Sequence, residues 1–287
     1  MAEKKEKKNA TGITVIIPVH ELNEETTQLF VKACISVEQQ QVVPDELMIV
    51  VPKGSDVEKQ LGKHDFGGVK NITRIVSNDG ETDFCSQINF GVEQVETEWF
   101  SVLELDDEYS KIWFRNVLEN QDAYDDVDMF LPLIVNVSEK TETNEETKAE
   151  ELKVLFEGLT NEAAWATSFS DELGILDNGA LLAFPNFNTD GMVMRTETYE
   201  DLGGFKSTMK LTFVYEFLLR MTYNDVKVMI IPKFGYKKLN QREGSLFKTY
   251  ESEGGMTPVE SQFWLAQARK EYFFDEDRKI TYVEETE

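Results

Sequence analysis

Four strand-sized apolar runs, separated by segments with helical periodicity, constrain the fold of this chain most. The runs are ITVIIPV at 13–19, VVPDELMIVV at 42–51, ITRIVS at 72–77 and WFSVLEL at 99–105. Apolar residues recur at helical spacing between the first two runs, and again after the third. Alternating strands and helices, with strands that lack polar alternation, are typical of parallel sheets covered on both faces. The sequence therefore predicts an open, mostly parallel, twisted α/β sheet flanked by helices.

The fourth run ends in an acidic stretch, ELDDE, at residues 104–108. In open α/β sheets, ligands bind outside the carboxyl ends of the strands. If the strand continues to residue 105, Glu104 and Asp106 project to one side and Leu105 projects to the other. Two such carboxylates either hold a cation or belong to an ordinary acidic loop. For an isolated Glu-x-Asp the ordinary loop is the commoner case, because short motifs have many chance matches.

The rest of the chain is less regular. Residues 138–151, SEKTETNEETKAEE, are charged and poor in apolar residues, which predicts an exposed acidic insertion loop. FVYEFLLRM (213–221) and VKVMIIP (226–232) predict a helix and a strand, and TPVE (257–260) predicts the start of a C-terminal helix. The segment after the insertion carries apolar residues at helical spacing and predicts another helix: Leu152, Leu155, Phe156 and Leu159.

Charge and composition exclude several functional classes. The 29 basic and 54 acidic residues give a net charge of −25, so the surface repels phosphate backbones and we do not expect direct nucleic-acid binding. The chain has two histidines and two cysteines without Cys-x-x-Cys spacing, which are too few ligands for a typical zinc site. Any bound metal is therefore expected to have oxygen ligands. No apolar run approaches the roughly 18 residues that span a bilayer, and residues 1–11 read as a solvated arm without a signal-peptide core. We therefore expect a cytoplasmic protein.

Six segments, in this order, resemble those of family 2 glycosyltransferases, which are nucleotide-sugar-dependent enzymes with a GT-A fold. The first three are VIIPVHELNEE, PDELMIVV and the Asn89-Phe90-Gly91 step. The fourth is FSVLELDDEYS, where the family carries an Asp-x-Asp metal motif and Glu104 replaces the first aspartate. NTDGMVMRTETYEDLGGF is similar to the acceptor-side segment, and YKKLNQREGSL is similar to a tail element that closes over the diphosphate.

The resemblance implies a GT-A-like domain over residues 12–250, followed by a C-terminal helical extension and acidic tail at 251–287. The domain would divide into a nucleotide-binding half at 12–110 and an acceptor half at 111–250 that contains the insertion. The implied reaction is metal-dependent transfer of a hexosyl or pentosyl group, with inversion, from a nucleoside-diphosphate sugar. The acceptor, whether glycan, protein or small molecule, is not identified.

The resemblance also assigns roles to individual residues. Asp106 would bind Mn²⁺ or Mg²⁺, with Glu104 on the ribose or the metal's water shell, and the cation would neutralise charge on the leaving diphosphate. Residues assigned to the nucleotide-sugar donor are Pro18, Val19, His20, Glu21, Lys53, Asn89, Glu104, Leu105 and Asp106.

The nucleobase site departs from the family pattern. The acidic turn that recognises the base is replaced by VPKGS at 51–55, and Pro52 has neither a backbone donor nor a polar side chain. Lys53 would contact phosphate instead or remain solvated. An arginine that often precedes the Asn-x-Gly step is replaced by Ile88.

The general base is also displaced. The family's Glu-Asp pair at a helix start is replaced by Phe213 and Val214, which leaves Glu216 or Asp190 as the catalytic base. These losses favour an alternative, a catalytically inactive GT-A-like protein with a structural role or a protein partner. The acidic pair and the Asn-x-Gly step, retained together, favour the enzyme.

Overall fold

A computed structural model describes residues 11–61, 73–143, 150–166, 172–209, 212–240, 242, 245 and 258–273. The strands in this part of the chain are β1 Ile13–Pro18, β2 Glu46–Pro52, β3 Arg74–Asn78, β4 Trp99–Val102, β5 Glu108–Tyr109, β6 Met129–Thr143, β7 Glu150–Thr160, β8 Val193–Arg195 and β9 Val228–Leu239. The helices are α1 Glu24–Glu38, α2 Asp56–Leu61, α3 Phe84–Val92, α4 Trp113–Gln121, α5 Ala163–Ala166, α6 Asn178–Ala183, α7 Thr196–Asp201, α8 Phe213–Tyr223 and α9 Pro258–Phe273.

All of these strands belong to one sheet with the order β3-β2-β1-β4-β8-β6-β9-β5, and β7 pairs with β6 beside this path. Strands β1, β2, β3, β4, β6 and β9 run in one direction, whereas β5, β7 and β8 run against them. The predicted open, mostly parallel α/β sheet is therefore confirmed.

The apolar strands are covered on both faces, as their continuous hydrophobic runs predict. Along β1, Val15 and Ile17 pack into one core layer, and Ile16 packs into the layer on the opposite face. Helices α1 and α4 contribute to the first layer, and α3 and α8 contribute to the second. Because side chains alternate between the faces of a strand, only a run that is apolar throughout satisfies both layers.

The Asn-x-Gly step has a packing explanation at its glycine. A Cβ on Gly91 would lie 2.9 Å from Val50 Cγ2 and 3.0 Å from Ile16 Cγ2. Helix α3 can therefore approach β1 and β2 closely only with glycine at this position. The step is explained by helix-to-sheet packing before any ligand is considered.

The prediction for residues 138–151 was wrong where the structure describes them. β6 and β7 form a long antiparallel pair that extends from Ile134 opposite Thr160 to Thr143 opposite Glu150. The helix predicted after the insertion is also a strand, β7. Its apolar residues fit both a helical and an alternating pattern, and pairing with β6 selects the strand. Residues 144–149 lie outside the described part of the chain.

Strand β4 ends earlier than predicted, at Val102 rather than residue 105. Residues 104–107 form a turn in which the Asp107 N–H donates to the Glu104 carbonyl oxygen over 3.2 Å. The strand rule that places Glu104 and Asp106 on one side therefore does not apply, because the backbone has already left the extended conformation.

The predicted C-terminal helix is confirmed as α9, which packs against α8. Arg269 Nε donates to Tyr215 Oη over 3.0 Å, and the Tyr223 and Tyr272 rings meet with centroids 5.7 Å apart. The domain boundaries proposed from the sequence stay a prediction. Among the helices of the described residues, none combines the length and the apolar character needed to cross a bilayer.

Candidate functional site

The acidic turn after β4 lies beside the end of β9 and the loop before β8. Strand β5 pairs with β9, Glu108 opposite Lys237 and Tyr109 opposite Tyr236, and this register brings the end of β9 to the turn. Tyr236 Oη accepts the Glu104 backbone N–H over 3.1 Å. The β8 loop passes against the same tyrosine at Gly191, where φ is +73° and a Cβ would lie 2.6 Å from the ring. Glycine at that position allows the loop to bring Asp190 to the turn.

Three carboxylates meet there, and we call Glu104, Asp107 and Asp190 the acidic cluster. One oxygen of each lies within 4.8 Å of the other two. Lys238 Nζ lies 3.0 Å from Glu104 Oε1 and 2.5 Å from Asp190 Oδ2. A single ammonium group thus bridges two of the three carboxylates.

Asp107 is the least satisfied member of the acidic cluster. Its side chain is buried, with the residue 2% exposed, and Oδ1 accepts the Leu239 N–H over 2.8 Å. Oδ2 is buried and has no hydrogen-bond partner among the described residues. Burial, and then the neighbouring Glu104 charge, raise the pKa of Asp107 well above its ordinary value. Burial also raises the pKa of Glu104, against the opposing charge of Lys238.

Asp106 does not join the acidic cluster, which corrects the expectation that it converges with Glu104. Its Oδ2 lies 2.6 Å from Arg242 Nε, and both side chains are almost buried. Burial, and then the Glu104 charge, raise the pKa of Asp106 although Arg242 opposes the shift. Asp106 lies near Glu104 but its carboxylate is held by arginine.

A small cleft adjoins this pair. It measures about 70 Å³ and is lined by His20, Glu21, Asn23, Glu25, Thr26, Leu105 and Arg242. Three residues predicted to bind the donor, His20, Glu21 and Leu105, are therefore brought together. Burial lowers the pKa of His20, so its imidazole is favoured in the neutral form. Ligand pockets for drug-sized molecules measure about 300 Å³ or more, so a nucleotide fits only if the lining moves.

The structure assigns Glu216 a structural role, which corrects its prediction as a catalytic base. Glu216 is fully buried, and its carboxylate bonds Arg220 Nε and Nη2, each over 2.9 Å. Tyr272 Oη donates to it over 2.7 Å, and Lys206 Nζ lies 2.9 Å away. Burial alone would raise the pKa of Glu216, but the bonds and charges of Arg220, Tyr272 and Lys206 outweigh it and lower the pKa. An ionised, fully bonded carboxylate without solvent access is a poor proton acceptor for a substrate.

Asn89 is likewise used within the fold rather than toward a donor. Its Nδ2 donates to the Phe205 carbonyl oxygen over 2.9 Å. Its Oδ1 accepts from Tyr199 Oη over 2.6 Å and from the Phe205 N–H over 2.9 Å. These bonds fasten α3 to the Gly-Gly-Phe turn after α7, and they account for the asparagine without a ligand.

The remaining predicted donor residues lie near the carboxyl ends of β1 and β2. Pro18 and Val19 are buried, and the Val19 N–H donates to the Val50 carbonyl oxygen over 2.8 Å. Lys53 is exposed in the turn after β2. Neither position is brought into the acidic cluster.

Sequence reasoning missed the two cations of the site, Lys238 and Arg242, and the ligand potential of Asp107. The signal for the cations was the segment YKKLNQREGSL, which was matched to a diphosphate-closing element without roles for its individual residues. Asp107 was named within the acidic run, but alternation along the assumed strand drew attention to Asp106.

No protein-family model matches the chain. No curated protein matches it in sequence. Its fold is similar to crystal structures of TarS from S. aureus. TarS 1–349 is 13% identical with a TM-score of 0.60, over 93% of this chain and 68% of that one. TarS 1–349 in complex with UDP-GlcNAc is 15% identical with a TM-score of 0.62, over 93% and 69%.

A third structure, TarS 1–349 in complex with UDP, is 14% identical with a TM-score of 0.57, over 93% of this chain and 73% of that one. TarS has a GT-A-like glycosyltransferase fold. At these identities the likeness establishes the architecture alone. The chain therefore has the GT-A-like fold that its sequence predicts, with a sequence far from that of TarS.

Proposed function

We propose that this protein is a glycosyltransferase that takes its sugar from a nucleoside-diphosphate sugar of the UDP-GlcNAc type. The observation that carries the proposal is the acidic cluster, which stands at the carboxyl end of β4 in a GT-A-like sheet and leaves a buried carboxylate oxygen without a partner. The likeness to TarS, solved with UDP-GlcNAc and with UDP, supports the choice of donor.

The acidic cluster fits a divalent cation by its chemistry. Mg²⁺ and Mn²⁺ prefer oxygen ligands, and Mg²⁺ is commonly held by one or two carboxylates together with phosphate oxygens and water. In this proposal Glu104 and Asp107 would hold the cation, and Asp106 would join them only if Arg242 moved away. The cation would neutralise charge on the diphosphate as it leaves.

Other side chains at the acidic cluster can accept the acceptor's proton and bind the phosphate oxygens. An acceptor hydroxyl attacks the anomeric carbon, the bond from that carbon to the diphosphate oxygen breaks, and the hydroxyl proton passes to a base. Asp190 is the proposed base, because it lies on the loop of the predicted acceptor-side segment and becomes a free proton acceptor when Lys238 turns away from it. Direct attack from the opposite side inverts the anomeric carbon. Lys238 and Arg242 can turn from their carboxylates toward phosphate oxygens, as cationic side chains do in other phosphate sites.

Thermal unfolding tests the donor site directly. We expect UDP or UDP-GlcNAc to raise the midpoint temperature only when Mn²⁺ or Mg²⁺ is present, since a ligand at a hundredfold excess over its Kd adds about 2.7 kcal/mol of stability. Asp107→Asn should abolish the metal-dependent part of the shift. Asp126→Asn, which removes an exposed carboxylate paired with Lys227, is the matched control and should leave the shift intact.

A second candidate, a GT-A-like scaffold without transferase activity, is favoured by specific contacts. Glu216 and Asn89 serve the fold, and Lys238 and Arg242 already neutralise carboxylates of the acidic turn. Such a scaffold would show no shift with any nucleotide in the presence of either cation. That result would reject the transferase proposal and direct attention to a protein partner. The acceptor and a cytoplasmic location stay predictions under both candidates.

A further inference from the structure

Strand β7 exposes an unusual amount of apolar surface for so acidic a chain. Val154 and Phe156 are 54% and 66% exposed, and Leu155, on the opposite face of the strand, is 41% exposed. Leu152, next along the Val154 face, is 57% exposed. Contiguous exposed apolar residues mark interaction sites more often than isolated ones do.

The same strand has an open edge among the described residues. One edge of β7 pairs with β6, and no described strand pairs with the other. An unpaired edge presents backbone N–H and C=O groups that can bind a further strand. An open edge together with exposed apolar side chains indicates that another strand adds to the sheet here.

The sequence of β7 is complementary to itself in one antiparallel register. If two copies pair with Leu155 opposite Leu155 of the partner subunit, Val154 faces the partner's Phe156 on the other side of the strand. Lys153 then faces the partner's Glu157. The two-fold axis generates a second, equivalent ion pair on the other side of Leu155. Apolar and opposite-charge pairs directly across a ladder each contribute about 0.2–1 kcal/mol.

A neighbouring register is worse for a physical reason. Centring the pair on Val154 places Lys153 opposite the partner's Leu155 on both sides, so both Lys–Glu pairs across the ladder are lost. The charge pattern therefore selects the register centred on Leu155. A register shift between Asn136 and Val137 of β6 leaves Glu157 without a residue opposite it on β6, although Ser138 Oγ donates to its carboxylate. The symmetric pairing is therefore short and ends at Glu157.

We propose that two copies of this chain associate through antiparallel pairing of their β7 strands, with a two-fold axis at Leu155. The two sheets then continue across the interface. The strand that adds to the open edge belongs to a second copy, because the charged and apolar residues of one β7 complement those of another. General repulsion between two chains of charge −25 is screened beyond about 8 Å at physiological ionic strength, so contact pairs decide the outcome there.

Sedimentation velocity in about 0.15 M salt, over about 10–500 µM protein, tests the association. Wild type should show a concentration-dependent dimer. Lys153→Glu should raise the dimer Kd about tenfold or more, because two attractive pairs become repulsive. The double variant Lys153→Glu/Glu157→Lys should restore it. Lys59→Glu makes the same charge change at an exposed pair on α2, which packs against β2 and away from β7, and should leave the Kd unchanged.

Cysteine crosslinking tests the register. Leu155→Cys should form a disulfide-linked dimer under mild oxidation, since residues in direct opposition in an antiparallel ladder have Cα atoms about 4.5–5.5 Å apart. Leu152→Cys is the control, because its symmetry copy would lie about 20 Å away. The native Cys34 and Cys85 are buried and do not interfere. A monomeric wild type at every concentration, an unchanged Kd in Lys153→Glu, or crosslinking by Leu152→Cys alone would each overturn the proposal.

Discussion

The molecule has two buried charged regions that differ in how their charges are balanced. In the acidic cluster, one lysine contacts two of the three carboxyl groups, and Asp107 Oδ2 has no partner among the described residues. In what we call the Glu216 network, one carboxylate is bonded by Arg220, Lys206 and Tyr272, and Arg220 also donates to the Gly204 carbonyl oxygen over 2.8 Å.

The difference lies in whether the buried charges are satisfied within the fold. The Glu216 network satisfies its buried charges and ties α8 to α9 and to the turn after α7, so its role ends within the fold. The acidic cluster keeps an excess of carboxyl groups, and burial raises the pKa values of Glu104 and Asp107, so this arrangement costs stability. Buried polar groups that the fold leaves unbalanced are found mainly at functional sites. The sequence offered both Glu216 and Asp190 as the catalytic base, and the contacts of Glu216 all lie within the fold.

The largest effect is expected from Glu216→Ala. Removing one partner of a buried ion pair costs about 3–5 kcal/mol, because Arg220 would remain buried without its carboxylate. Urea unfolding at pH 7 measures the loss. The double variant Glu216→Leu/Arg220→Met, which removes both charges, should lose less than the single variant. A loss below about 1 kcal/mol for the single variant, the usual upper value for an exposed pair, would contradict the structural role.

The same variant has a defined pH dependence. The pKa of Glu216 lies below its unfolded value of about 4.3, so its contribution is fully present above that value and is lost as pH falls through the folded pKa. The stability difference between wild type and Glu216→Ala should therefore be constant above about pH 5 and narrow below about pH 4. A stability difference that widened on acidification would show that folding raises the pKa of Glu216 rather than lowering it.

An intermediate effect is expected from Lys238→Met. The loss of two charge-assisted bonds should cost about 2 kcal/mol in the presence of a chelator, because Glu104 and Asp190 would face each other without a cation. Millimolar Mn²⁺ should recover most of this loss in the variant by replacing the ammonium group. Thermal unfolding with and without Mn²⁺ measures both steps, and Lys227→Met, at an exposed pair, should show neither. Failure of Mn²⁺ to stabilise Lys238→Met would argue against cation binding by the cluster.

The smallest effect, of opposite sign, is expected from Asp107→Asn. The amide keeps an acceptor for the Leu239 N–H and gains a donor toward the neighbouring carboxylates, so the metal-free protein should gain about 1 kcal/mol at pH 7. Urea unfolding of wild type and variant in a chelator measures the change. A loss of stability instead would mean that the Asp107 carboxylate is already well satisfied, and the contrast between the two regions would disappear.

Much of the fold was predictable because it depends on local pattern. The runs at 13–19 and 42–51, the helical spacing between them and the helix at 213–221 each carry a hydrophobic period that admits one regular structure. The β6–β7 hairpin was missed because residues 138–143 lack apolar residues, and their strand structure comes from pairing with β7. The apolar residues of β7 fit two periods, and only pairing decides between them.

The GT-A-like architecture was predicted from the resemblance of six segments to family 2 glycosyltransferases. By itself, the residue pattern determined an open α/β sheet, the order of its first strands and helices, and an acidic stretch at the end of β4. It determined these because burial of apolar faces and strand-helix alternation are encoded over short stretches. Only the tertiary structure decided which carboxylates meet. Lys238 reaches Glu104 across 134 positions and Asp190 across 48, and the early end of β4 turns Asp106 toward Arg242. Such contacts depend on strand register and on loops, which local residue patterns do not specify.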